Sequence, residues 1–126
     1  MPTILLVDDS PTIRRIVKAA LSSLPDTEFA EAGSGLQAIE TLAITPVDMM
    51  VLDLNMPDMH GLDVLSFVRS HNLYRHLPVV VLTRRGDQTS RGAAMYAGAS
   101  AYMTKPFSPT RLASRAQELL EPMSPR

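Results

Sequence analysis

Apolar positions along this chain fall into two alternating patterns. Short unbroken runs occur at Thr3–Val7, Met49–Asp53 and Val79–Thr83. Runs of this kind mark strands buried on both faces. A weaker run at Glu28–Ala32 and a short one at Ala101–Met103 bring the expected strands to five. Between the runs, apolar residues recur at helical spacing: Ile13, Ile16, Val17, Ala20, Leu21 and Leu24; then Leu36, Ile39, Leu42 and Ala43; then Leu62, Leu65 and Val68. A fourth stretch holds Ala94 and Met95, and a fifth Leu112, Ala113, Ala116, Leu119 and Leu120. Ser10-Pro11 and Ser108-Pro109 each supply an N-cap followed by a first-turn proline. Gly33-Ser34-Gly35 reads as a turn, and Asp87 as the cap of the fourth helix. Pro25 and Pro46 stop the first and second helices. Five strands alternating with five helices predict an α/β fold, a doubly wound parallel sheet with helices on both faces. Residues 1–121 are expected to form the domain, and 122–126 a short frayed tail.

Composition narrows the function. At 126 residues the chain is one domain. It has no cysteine, which excludes disulfides, thiol nucleophiles and thiolate metal sites. The net charge of −1 argues against a mainly electrostatic nucleic-acid binder. No apolar run approaches the roughly 18 residues of a membrane span. Met1-Pro2-Thr3 leads straight into a strand with no signal-peptide pattern, so a cytoplasmic location is expected. Of the 12 basic residues only Lys18 and Lys105 are lysines.

In open parallel sheets, ligands bind beyond the carboxyl ends of the strands. Strand one ends at Asp8-Asp9, strand three at Asp53 with Asn55 two residues on, strand four at Thr83, and strand five leads to Lys105-Pro106. Taken singly, each has an ordinary explanation. An aspartate can cap a turn, a threonine suits a strand, and a lysine beside proline can be a solvated loop charge. Taken together, three carboxylates would crowd one rim with a hydroxyl and an ammonium. Crowded carboxylates need compensation. Mg²⁺ takes few carboxylates, keeps waters and bridges to phosphate oxygens. The set therefore suits phosphoryl chemistry with a carboxylate nucleophile.

The runs LLVDDS, MMVLDLNMPDMHGLDVL, VVVLT and AGASAYMTKPF, in this order and spacing, resemble the receiver domain of two-component response regulators, chemotaxis regulators in particular. The resemblance spans Thr3 to about Leu120. It implies a flavodoxin-like sheet of order 2-1-3-4-5. It implies that Asp53 accepts the phosphoryl group, that Asp9 binds Mg²⁺ directly and Asp8 through water, and that Asn55 contributes its backbone carbonyl. Thr83 and Lys105 would hold phosphoryl oxygens, the Lys105–Pro106 bond would be cis, and Tyr102 would turn inward as Thr83 moves. A sensor histidine kinase would be the donor, touching helix one near Ile13, Arg14 and Val17. A downstream effector protein would read helix four, strand five and helix five near Arg91, Met95, Tyr96, Tyr102 and Leu112.

Arg84 and Arg85 depart from the small residue usual after the switch threonine. Arg84 would obstruct donor approach, hold the phosphoryl group, or pair with Asp87. Competing readings remain: a Mg²⁺-dependent phosphohydrolase with an aspartyl-phosphate intermediate, a receiver excised from a longer regulator, and a degenerate receiver acting as a scaffold. The phosphohydrolase would usually carry a second aspartate two residues after the nucleophile, where this chain has Asn55.

Overall fold

The computed structural model describes residues 1–84 and 88–121. Arg85, the expected cap Asp87 and the tail 122–126 lie outside the described residues. The elements alternate as expected: β1 (Thr3–Val7), α1 (Pro11–Leu21), β2 (Glu28–Ala32), α2 (Gly35–Ile44), β3 (Met49–Leu52), α3 (Gly61–Ser70), β4 (Val79–Thr83), α4 (Gln88–Tyr96), β5 (Ala101–Thr104) and α5 (Pro109–Leu120). All strand pairs are parallel, in the order β2-β1-β3-β4-β5.

Side-chain alternation divides the core into two layers. Ile4, Leu6, Met49, Val51, Val80 and Leu82 face α1 and α5, where Val17, Leu21, Leu112 and Ala116 cover them. Leu5, Val7, Met50, Leu52, Val79 and Val81 face the opposite way, against Ala38 and Leu42 of α2, Val64, Leu65 and Val68 of α3, and Ala94 of α4. A strand with both faces covered has no polar face, which is why these strands read as unbroken apolar runs.

Helix ends follow local chemistry. Ser10 and Ser108 accept from the backbone N–H groups of Ile13 and Arg111, each ahead of its proline. α4 ends in a Schellman motif: Gly98, at φ 106°, donates to the Met95 carbonyl, and Ala99 donates to that of Ala94. Arg69 on α3 secures this corner through two bonds to the Gly98 carbonyl, at 3.0 and 2.8 Å.

The helical stripes differ in detail from the expected ones. On α2 the buried residues are Gly35, Ala38 and Leu42, whereas Leu36 is 58% exposed and Ala43 is exposed. Gly35 belongs to the helix, not to the preceding turn. It allows a close approach, since a Cβ there would lie 2.2 Å from Met59 Cγ. Small residues carry this interface, and a pattern of large apolar side chains does not register them. Ile16 on α1 is likewise 46% exposed. α3 starts at a cap absent from the sequence expectation: His60 Nδ1 accepts from the Leu62 N–H at 3.0 Å.

Two contacts tie the β3–α3 loop to its surroundings. Gly61 packs on the backbone beside the end of β3, where a Cβ would lie 2.5 Å from the Asp53 carbonyl oxygen and 2.6 Å from Leu54 Cα. Backbone cannot yield as a flexible side chain can. Gly61→Ala is therefore expected to destabilise the fold by about 1–3 kcal/mol in urea unfolding. Asp58 reaches the start of α2, accepting from Leu36 and Gly35 at 3.0 Å each. The Leu36 N–H, then that of Gly35, holds the Asp58 carboxyl below the usual aspartate range. A lowered folded-state pKa gives stability that is complete above the unfolded value near 4 and is lost as pH falls through the lower folded one. The stability advantage of wild type over Asp58→Asn should accordingly shrink below about pH 4. Parallel urea titrations across that range check it, and a constant difference would contradict it.

Candidate functional site

Register places the expected residues on one rim. Val7 pairs with Leu52, so Asp8 and Asp53 leave adjacent strands side by side. The Asp53 N–H donates to the Val7 carbonyl at 2.9 Å, and the Asp8 N–H to that of Ala32 at 3.1 Å. Across the sheet Thr83 pairs with Thr104, and the Lys105 N–H donates to the Thr83 carbonyl at 2.9 Å. The Lys105–Pro106 peptide bond is cis, as the resemblance implied.

The rim is an acidic cluster with one cation. Carboxylate oxygens of Asp8, Asp9 and Asp53 lie within 4.8 Å of one another. Asp8 and Asp53 are 6% exposed and Asp9 is exposed. Lys105 Nζ lies 2.6 Å from Asp8 Oδ2 and 3.5 Å from Asp53 Oδ2. Asp8 also accepts from the Ser10 N–H at 2.9 Å, and Asp53 from the Asn55 N–H at 3.2 Å. One ammonium against three ionised carboxylates leaves two formal negative charges uncompensated. An all-oxygen donor set with that deficit fits a hard divalent cation.

Three further contacts enlarge the sequence expectation. The resemblance implies a backbone carbonyl contribution from Asn55, and its side-chain amide in addition donates to Thr83 Oγ1 at 3.1 Å. The fully buried Thr83 hydroxyl thus accepts from Asn55 and keeps its own proton for another acceptor. Arg14, expected on the kinase-side surface, is turned inward: Nη1 donates to the Asp8 carbonyl and Nε to Glu31 Oε1 at 2.9 Å. Val17, expected on the same surface, is 3% exposed and belongs to the core. Sequence spacing puts Arg14 one turn after the Ser10 cap, but the partner on β2 is visible only once β2 lies beside β1. Arg84 follows Thr83 and is exposed. Tyr102 is half-buried at the opposite sheet edge, with the Arg91 guanidinium 5.9 Å from its ring centre.

An open groove of about 580 Å³ adjoins the cluster, lined by Asp9, Asn55 and the residues from Met56 to His60. No described helix is long and apolar enough to cross a membrane.

Comparison with known proteins gives a consistent result. Residues 4–117 match the response regulator receiver domain family. Chemotaxis protein CheY1 of Helicobacter pylori is 37% identical over 118 residues, covering 93% of this chain and 95% of the relative. Chemotaxis protein CheY of Pseudomonas aeruginosa is 38% identical, covering 94% and 95%. Among solved structures, a response regulator from Chloroflexus aurantiacus superposes with a TM-score of 0.89 at 32% identity, covering 96% of this chain and 99% of that one. Chemotaxis protein CheY4 of Vibrio cholerae gives 0.86 at 30% identity, covering 95% and 99%.

The charge deficit makes a thermodynamic prediction. A cation that binds only the folded state adds about 1.4 kcal/mol of stability at tenfold excess over its dissociation constant. Millimolar Mg²⁺ is expected to raise the urea midpoint of the wild type, and Asp9→Asn to abolish most of the rise. A wild-type midpoint unmoved by Mg²⁺ and by EDTA would remove the cation from the site.

Proposed function

The chain belongs to the response regulator receiver domain family, and from that membership we propose that it is a phospho-accepting signalling switch with Asp53 as the acceptor. The observation that carries this reading is the cluster itself. The Asp53 carboxylate, two more carboxylates, a hydroxyl that accepts from Asn55 and the ammonium of Lys105 share one strand-end rim. The donor is a histidine kinase carrying a phosphorylated imidazole. An Asp53 carboxylate oxygen attacks phosphorus in line, the phosphorus–nitrogen bond breaks, and the departing imidazole takes up a proton. The product is an acyl phosphate on Asp53.

Mg²⁺ held by Asp8, Asp9, Asp53 and the Asn55 carbonyl would neutralise charge on the phosphoryl oxygens. Lys105 shares its ammonium between Asp8 and Asp53 before reaction and turns to a phosphoryl oxygen afterwards. The Thr83 hydroxyl donates to a second oxygen, shifting toward it and vacating space for Tyr102. The effector protein then binds the face formed by α4, β5 and α5. With Asn55 two residues after the acceptor, the chain lacks the carboxylate that a phosphohydrolase of the competing kind would use as acid and base, which favours a switch over a turnover enzyme.

Acetyl phosphate with Mg²⁺ is expected to add one phosphoryl mass to the wild type, and beryllofluoride with Mg²⁺ to shift the amide signals of Asp53, Thr83 and Tyr102. Asp53→Asn should do neither. A full response in that variant would overturn the acceptor assignment.

A further inference from the structure

The chain passes from β1 to α1 through Asp8, Asp9 and Ser10, and the first two of these are held very differently. Every polar group of Asp8 is engaged. Its N–H donates to the Ala32 carbonyl, its carboxylate accepts from the Ser10 N–H and from Lys105, and its carbonyl accepts from Arg14 Nη1. The exposed Asp9 carboxylate has no hydrogen bond or ion pair among the described residues. It nevertheless lies within 4.8 Å of the carboxylates of Asp8 and Asp53. Something other than its own contacts keeps it there against their repulsion. The Asp8 carbonyl and the Asp9 N–H belong to one planar peptide unit, so a bond that fixes the carbonyl also fixes the start of Asp9. Arg14 makes that bond.

Arg14 is itself secured. Nε donates to Glu31 Oε1 on β2 at 2.9 Å, and the side chain is 16% exposed. A planar guanidinium bonded through two nitrogens has a fixed orientation, which a lysine ammonium would not have. Arg15, the next residue on α1, is exposed and has no ion pair among the described residues. We infer that Arg14 is a positioning residue for the proposed cation site: braced by Glu31, it holds the Asp8–Asp9 peptide and thereby keeps the Asp9 carboxylate beside those of Asp8 and Asp53. The inference rests on the reading of that cluster as a Mg²⁺ site and adds a residue outside the donor set. Without the bond, the turn would have to be ordered when the ion binds, and affinity would fall accordingly. Charge works the other way. Arg14 lines a small internal cavity together with Asp8 and Asp53. Removing its positive charge from beside the carboxylates should, by Coulomb's law alone, strengthen cation binding. Positioning and charge therefore predict opposite signs for the same substitution.

The test is a Mg²⁺ titration of the full chain, followed through the amide signals of Asp9 and Asn55 in two-dimensional NMR. Urea unfolding without Mg²⁺ is read beside it, so that a loss of fold is not mistaken for a loss of affinity. Arg14→Gln is expected to stay folded under the titration conditions and to weaken Mg²⁺ binding roughly tenfold. Arg14→Lys keeps the charge but not the planar two-nitrogen brace. It is expected to weaken binding by about threefold or more, and it carries the test if Arg14→Gln does not fold. Arg15→Gln removes the same charge one residue away and should leave the affinity unchanged within about twofold. An Arg14→Gln affinity equal to or tighter than that of the wild type would overturn the inference, and so would an Arg14→Lys affinity equal to it. A loss in Arg15→Gln as large as in Arg14→Gln would overturn it too. The wild-type titration reads the underlying site separately. No Mg²⁺ uptake by the wild type would defeat the cation site and this inference with it. Uptake by the wild type with unchanged affinity in the Arg14 variants would defeat only this inference.

Discussion

One ammonium group holds together a rim that electrostatics would otherwise spread apart. Lys105 Nζ lies between Asp8 and Asp53, and it is the only cation that ion-pairs with the three clustered carboxylates among the described residues. Both aspartates are nearly buried, so water screens their repulsion less than it would on an open surface. The residual negative charge is a cost in stability and also the attraction that a divalent cation and a cation-bound phosphoryl group would meet. The same electrostatic deficit thus serves the proposed chemistry and weakens the resting fold, a balance common at functional sites.

That charge cluster exists only because the sheet is parallel and in register. Lys105 and Asp8 are far apart in the chain, and Asp53 lies between them. Pairing of Val7 with Leu52, and of Thr83 with Thr104, brings their strand ends to one side. An antiparallel or slipped strand would send one of these groups to the opposite rim or face. Two apolar layers fix the register, because each strand alternates between an α1–α5 layer and an α2–α3–α4 layer. The core therefore acts on function through position, and Gly61 shows how tight the tolerance is, with α3 beginning against the backbone of Asp53 and Leu54.

Much of this was legible in the sequence. The unbroken runs at β1, β3 and β4 announced doubly covered strands, and Asp8, Asp9, Asp53, Thr83 and Lys105 stood out because each lies at or just beyond the end of an expected strand. Strand order was not legible from periodicity and came from the family resemblance, since hydrophobic pattern identifies elements but not neighbours. What pattern missed were contacts made by small or polar residues across the chain. Gly35 and Ala38 form the buried stripe of α2, where Leu36 had been expected. His60 caps α3 with a ring nitrogen, and Asp58 reaches α2 from another loop. The Asn55–Thr83 bond and the Arg14 link to Asp8 and Glu31 join strand ends that only the folded sheet makes neighbours.

The size of the proposed switch follows from which contacts are new. Moving two conformations from one per cent to ninety-nine per cent occupancy takes about 5.5 kcal/mol of differential interaction, and a hydrogen bond to a charged group contributes roughly 1.5–3 kcal/mol. Lys105 already bonds Asp8 in the resting state, so turning to a phosphoryl oxygen yields only the difference between two charge-assisted contacts. Thr83 is different, because its hydroxyl accepts from Asn55 while its own proton is not committed there. A bond from that proton to a phosphoryl oxygen is added without breaking one that the hydroxyl donates to Asn55. Thr83 would therefore supply the larger share of the proposed bias. Its strand pairs with the one that carries Tyr102, two residues back in register. A shift of Thr83 would bear directly on β5, beside the ring on which Arg91 rests. The acidic rim and the Tyr102 edge of the sheet are thus joined by one pair of hydrogen-bonded strands.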